Sequence, residues 1–284
     1  MKFPDFRYAA PESVAEAVRL LASSEGAKPI AGGQSLLPMM AYRLTAPSLL
    51  VDLKKLKELQ RLSIDADGVR LGARVRWRDI ELDARLKTAH PLLQAAIAHT
   101  AHYQIRNRGT VGGSVAHADP AAEMPGIAAT CDAEMTAVGP KGRRVIRAAD
   151  FFLGPLSTAL APEELLVEVK LAPWAAGRRW GFEELARRRG DFAMAGVAAY
   201  YDLDAEGRAT NAHIGVIGAC TRPHRVAAAE AELNGKRIDA KVIAAAAKAL
   251  AASVEPPEDL HASAEYRASL AGTLLERVLT HASR

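Results

Sequence analysis

Two glycine pairs constrain this chain more than any other feature. The first lies in PIAGGQSLLPMM, residues 29–40, between two apolar runs; the second lies in GTVGGSVAHADP, residues 109–120. A tight turn needs one glycine at most, so an adjacent second one implies that something comes very close to the backbone. Without a Cβ, backbone N–H groups can reach a bound oxygen, and positive φ is open. Successive N–H groups pointing one way form a nest for an anion, and Ser35, Thr110 and Ser114 add hydroxyl donors. A helix signal behind each loop favours an anion further. Either pair alone reads as a turn. Two loops of the same grammar suit a ligand with two linked phosphates, a dinucleotide such as FAD or NAD. Neither loop is GxGxxG after a strand and neither is GxxxxGK[ST], which excludes a Rossmann fingerprint and a P-loop.

The elements around the loops can be read from pattern. Residues 11–26 predict a helix with Pro11 near its start and a stripe of Val14, Ala17, Val18 and Leu21. Short strands are expected at KPIA and at 49–53. RLSIDADGVRLGARV predicts a hairpin turning at Asp67-Gly68. RWRDIELDARL and HPLLQAAIAHTA read as helices. A second hairpin turns at Gly139 to Gly142, and EELLVEVKL is a strand. Residues 172–179, APWAAGRR, read as a linker. A further hairpin then turns at Glu206-Gly207, and three helices follow at about 224–233, 238–252 and 262–281. In the second of these, Val242, Ala245, Ala246 and Leu250 form a core stripe. This order makes the fold α+β: a mixed region at 1–172 with parts at about 1–58 and 59–172, then a domain at 178–284.

The chain has 284 residues, 25% of them charged, with a net charge of +4. Its densest basic cluster, ELARRRGDF, has acids on both sides, so nucleic-acid binding has no support. Cys131 and Cys220 make no metal-spaced pair, so the chain holds no iron–sulfur cluster of its own; the two thiols read as buried and free in a reducing cytoplasm. No uninterrupted apolar run is long enough to span a membrane.

PIAGGQSLLPMMAYRL and QIRNRGTVGGSVAHADPAAEMP resemble, in order and spacing, the two flavin signatures of the FAD-binding medium subunit of the molybdenum hydroxylases, the family of xanthine dehydrogenase and carbon monoxide dehydrogenase. RRRGDFAMAGVAA resembles the entry to that family's C-terminal domain, and the likeness covers essentially the whole chain. It implies a two-part FAD-binding region of the vanillyl-alcohol-oxidase-like (PCMH) type, followed by a three-stranded antiparallel sheet and a helical bundle.

The resemblance also implies a site. The first loop would bind the pyrophosphate through Ala31, Gly32, Gly33, Gln34 and Ser35, flanked by Ile30 and Leu36. The second would wrap the same cofactor with Gly109, Thr110, Val111, Gly112, Gly113 and Ser114. Downstream, Ala122 and Glu123 would meet the ribityl or ring-edge region, with Asp119 mainly structural, and Asp191 and Phe192 would stand beside the flavin ring. Arg106 and Arg108 would neutralise phosphate or steady the loop, and His117 reads as a loop histidine satisfied by backbone. No catalytic residue and no metal ligand is expected on this chain. The implied chemistry is electron transfer: a small subunit with two [2Fe–2S] clusters feeds FAD, which passes electrons to NAD⁺, a quinone or oxygen. Substrate oxidation would occur at a molybdopterin centre on a large subunit, in a heterotrimer that is probably doubled. The extra cysteines of the benzoyl-CoA reductase branch are missing. Residues 36–44 are the expected docking region for the iron–sulfur subunit, from proximity alone. The rival readings are a self-sufficient flavin oxidase and a flavin-free scaffold; purified protein would be yellow in the first case and colourless in the second.

Overall fold

The computed structural model describes residues 2–283. The N-terminal unit comprises β1 (Arg7–Ala9), α1 (Val14–Ser23), β2 (Ala27–Ile30), α2 (Leu36–Ala41) and β3 (Leu49–Asp52). Its strands form a parallel sheet of order β1-β3-β2. Ser13 caps α1 by accepting the Glu16 N–H, and Ala17, Val18 and Leu21 bury against Leu49, Val51 and Leu53. The strand β1 had no sequence signal: its three residues are half-buried or exposed and carry no alternation.

The second unit begins with the hairpin β4 (Leu62–Asp65) and β5 (Gly68–Gly72). A run of short helices follows: α3 (Trp77–Leu82), α4 (Leu86–Ala89), α5 (Pro91–Ile97), α6 (Tyr103–Arg106), α7 (Val111–His117) and α8 (Glu123–Thr130). Then come β6 (Glu134–Gly139), β7 (Gly142–Arg147), α9 (Ala148–Phe151), β8 (Phe152–Gly154), β9 (Ser157–Thr158) and β10 (Leu165–Leu171). Five strands make an antiparallel sheet of order β4-β5-β10-β6-β7, and α5, α7 and α8 bury Leu92, Leu93, Val111, Val115 and Ile127 in one core with it. The single helix expected from RWRDIELDARL is two. Asp83 ends the first by accepting the Arg85 N–H, a local bond that competes with the helix. Pro91 then holds His90 extended at φ −164°, which separates α4 from α5.

The C-terminal unit is β11 (Arg179–Ala186), β12 (Ala193–Leu203), β13 (Ala209–Ile217), α10 (Ala227–Leu233), α11 (Ala240–Ser253) and α12 (Ala264–Ala282). The strands form an antiparallel sheet of order β11-β12-β13 under the three helices, the architecture expected here. The stripe of α11 lies one residue further round than its periodicity suggested. Ile243, Ala246, Ala247 and Leu250 are buried, whereas Val242 and Ala245 are half-buried, because neighbouring helices contact it on two sides.

The segment 172–179 is packed rather than slack. Trp174 meets the His90 ring at 4.7 Å and Tyr200 at 5.4 Å. The Arg178 guanidinium lies over both Trp174 and Tyr200, at 4.9 and 4.3 Å, and grips Asp202 with bonds of 2.8 and 2.9 Å. Beside it, Arg225 donates to Asp132 at 2.6 Å and pairs with Glu230 at 2.8 Å, tying the end of α8 to the C-terminal sheet. Among the described residues, no helix is long and apolar enough to cross a membrane.

Candidate functional site

A cleft of about 630 Å³ runs between the N-terminal unit, the second unit and the loop that joins β11 to β12. Of the residues expected at the site, sixteen line it: Ile30, Ala31, Gly32, Gly33, Gln34, Ser35, Leu36, Gly109, Thr110, Gly112, Gly113, Ser114, Ala122, Glu123, Asp191 and Phe192. Val111 does not. It is fully buried in the core of the second unit, where its backbone N–H donates to Val75.

The two loops use their glycines differently. In the first, the successive N–H groups of Gly32, Gly33, Gln34, Ser35 and Leu36 donate to no acceptor of the chain among the described residues. Gly33 holds φ +72°, which turns the run, and the Gln34 amide donates back to the Gly32 carbonyl at 2.9 Å. The Ser35 hydroxyl makes no capping bond. This is an open nest of donors facing the cleft.

In the second loop the N–H groups are already used. Val111 donates to Val75, Gly112 to Ala73 at 2.8 Å, Gly113 to the Thr110 hydroxyl at 3.2 Å and Ser114 to the Thr110 carbonyl. The expected second anion nest is therefore absent among these residues. The glycines answer to packing instead: a Cβ on Gly112 would come within 2.4 Å of the Ala73 Cβ. The two loops also meet each other, since a Cβ on Gly32 would lie 2.2 Å from the Arg108 carbonyl oxygen. The close approach that the first glycine pair implied is thus made partly by the second loop's own backbone.

At the other end of the cleft stand Glu123, Thr100, Asp191 and Phe192. Phe192 is 64% exposed, a large ring left open beside a cavity. Glu123, the first residue of α8, is buried, and burial, with the Glu184 carboxylate nearby, raises its acid to about 7. Thr100 was not anticipated from sequence. Its hydroxyl is buried and has no hydrogen-bond partner, so it is fitted to a group that enters the cleft. Ala101 beside it has φ +44°, and the polar run HTAH just ahead of the second motif was the only available signal. Asp119 accepts the Ala121 N–H at 2.9 Å and shapes the entry to α8. Arg106 donates to the Thr100 and Ala101 carbonyls and pairs with Glu81, steadying the loop from outside the cleft. His117 lines the cleft, and burial pushes its imidazole below the usual range. Cys131 and Cys220 are buried free thiols pushed up to about 12 by burial, and no group of three candidate metal ligands lies among the described residues.

A long cleft with a donor nest at one end and an exposed ring and a buried acid at the other defines a dinucleotide-cofactor protein with no redox residue of its own. The comparisons narrow this further. The family described as "FAD binding domain in molybdopterin dehydrogenase" matches residues 4–174, and "CO dehydrogenase flavoprotein C-terminal domain" matches residues 180–282. The chain is 41% identical to the nicotine 6-hydroxylase medium subunit of Paenarthrobacter nicotinovorans, over 99% of each chain. Among solved structures, it matches quinoline 2-oxidoreductase from Pseudomonas putida 86 with TM-score 0.94 and 41% identity, covering 100% of this chain and 98% of that one. It matches carbon monoxide dehydrogenase from Hydrogenophaga pseudoflava with TM-score 0.96 and 38% identity, covering 99% and 98%. The chain belongs to the FAD-binding medium subunits of the molybdenum hydroxylases, and is an oxidoreductase component.

Proposed function

We propose that this chain carries FAD as the electron-transfer subunit of a heteromeric molybdenum hydroxylase. Its partners are a small subunit with [2Fe–2S] clusters and a large subunit with the molybdopterin cofactor, in a cytoplasmic dimer of heterotrimers. The observation that carries the reading is the run of unpartnered N–H groups from Gly32 to Leu36 at the wall of the cleft. Donors of this kind fit a diphosphate, and the orphaned Thr100 hydroxyl at the far end fits a polar ring edge or sugar.

In this reading the first loop and the Ser35 hydroxyl hold the pyrophosphate. Thr110, Gly113 and Ser114 wall the middle of the cofactor, while Val111 and Gly112 seat that wall on the core. Ala122 and Glu123 meet the ribityl or ring-edge region, and Phe192, with Asp191 beside it, shields a ring face. Bound FAD supplies the redox chemistry that joins the partner's clusters to an acceptor such as NAD⁺, a quinone or oxygen. The residues of this chain bind, orient and shield; none acts as a catalytic base. The division of the chain at 172–178 is part of the same proposal.

The test is to purify the chain with whatever accompanies it from its native host, record the visible spectrum and identify the partners by mass spectrometry. Flavin bands near 450 nm with an iron–sulfur shoulder and two partner chains are expected. Flavin alone, with turnover of a small substrate, would instead indicate a self-sufficient oxidase, and failure to take up added FAD would defeat the reading.

A further inference from the structure

Glu123 does not stand alone at its end of the cleft. Glu184, on β11, is buried close by; its side chain is 5% exposed and its Oε2 atom has no hydrogen-bond partner. The Glu184 Oε1 atom lies 3.5 Å from Nδ1 of His99, whose ring is 44% exposed. Two of the three unpartnered buried side-chain atoms among the described residues, Thr100 Oγ1 and Glu184 Oε2, fall in this one cluster. Glu123 itself has no cationic partner among the described residues within ion-pair distance. The charged and titratable groups that act on the cluster are Glu123 from α8, Glu184 from β11, His99 from the turn after α5, and Arg189 from the loop after β11.

Charge balance decides which group holds a proton. Two buried carboxylates with one histidine between them and solvent cannot both stay ionised at low cost. Glu184 has His99 to pair with, and that carboxylate raises the imidazole above its usual range despite burial. Glu123 has only desolvation and a like charge around it.

We propose that Glu123 meets the cofactor as a neutral carboxylic acid, donating rather than only accepting a hydrogen bond, and that Glu184, paired with His99, is the positioning residue that keeps it protonated. This rests on the reading of the cleft as an FAD site. It reverses the role that the sequence suggested for Glu123, an acceptor for sugar hydroxyls or the flavin N3–H. A neutral acid offers its O–H to a carbonyl or ring nitrogen, and its second oxygen still accepts, for instance from the Thr100 hydroxyl.

The proposal predicts that protonation and cofactor binding are linked. FAD affinity should be flat at lower pH and should fall above about pH 7, by up to tenfold per pH unit, as Glu123 ionises. The ligand has no group that titrates in that window, and His117, the histidine on the cleft wall, is pushed down by burial and is neutral through it.

The experiment is a titration of the full chain, freed of flavin, with FAD from about pH 5.5 to about pH 8.5, following flavin fluorescence. The wild type, Glu123→Gln and Glu184→Gln are compared. The wild type should show one inflection. Glu184→Gln removes the like charge and should move the inflection down by about one pH unit. Glu123→Gln, whose amide donates at every pH, should lose the inflection. A flat wild-type profile, or an unmoved inflection in Glu184→Gln with its folding intact by circular dichroism, would overturn the proposal while leaving the FAD reading standing. No FAD binding at any pH would overturn the FAD reading itself.

Discussion

Gly32 and Arg108 lie back to back, so close that a methyl group on Gly32 would sit 2.2 Å from the Arg108 carbonyl oxygen. The obstacle is backbone, which cannot rotate away. Gly32→Ala should therefore push the two loops apart, lowering stability by about 1–3 kcal/mol and FAD affinity by about tenfold or more. Thermal unfolding of the flavin-free chain and an FAD titration would check both. An unchanged melting temperature would mean that the loops do not pack on one another.

Phe192 has the opposite signature. With its ring 64% exposed, it contributes little to the fold. Phe192→Ala should leave the melting temperature of the flavin-free chain within about 1 °C, because exposed side chains away from special features matter little. FAD should bind about threefold to tenfold more weakly, the worth of one aromatic contact. Calorimetric titration separates the two effects.

His90 makes the fold sensitive to acid. Its ring is buried against Trp174, its Nδ1 accepts the Leu93 N–H at 3.2 Å to cap α5, and burial holds its acid constant down at about 3. A histidine with a depressed constant binds fewer protons folded than unfolded. Its contribution is thus present above about pH 6.5 and is lost as pH falls toward 3. Between about pH 6.5 and 4 the loss is on the order of 3 kcal/mol. His90→Asn keeps a capping acceptor and should flatten that part of the curve. Glu123 acts in the opposite direction: a raised carboxyl costs stability as pH climbs from about 4.5 to 7. Urea unfolding at several pH values, wild type against variant, isolates the His90 share.

Arg225 guards the seam between α8 and the C-terminal sheet. Glu230 is buried, and without Arg225 its carboxylate would keep only the Ile214 N–H, at 2.9 Å. Arg225→Ala should cost about 2–4 kcal/mol, mostly for the stranded carboxylate. Arg225→Lys should recover less than half, since a point charge cannot serve Glu230 and Asp132 together. The urea midpoint measures both variants.

Residues that announce themselves by type were legible early. The glycine pairs, the hairpin turns at Gly68, Gly142 and Gly207 and the helix cap at Ser13 each answer to local chemistry, and each appears where its residue type requires. What stayed hidden depends on partners far along the chain. Nothing in GTVGGS says that its N–H groups will be taken by Val75 and Ala73, because that needs the position of the strand end after β5. Glu184 and His99 are separated by 85 positions and meet only when β11 lies beside α5. The α11 stripe was misplaced by one residue because alanine, small and apolar on every side, gives periodicity little contrast.

The stack of Trp174, Arg178 and Tyr200 bears on how charge can move through the molecule. Some redox proteins shuttle their cofactor on a tether that swings between donor and acceptor. Here the connecting segment is pinned by two rings and a forked grip on Asp202, so it offers no pivot. Whatever sits in the cleft must receive and release electrons from where it lies. Speed is then a matter of fixed separations to the neighbours on either side, and a substitution that loosened Arg178 would register as scatter in those separations before it registered as lost binding.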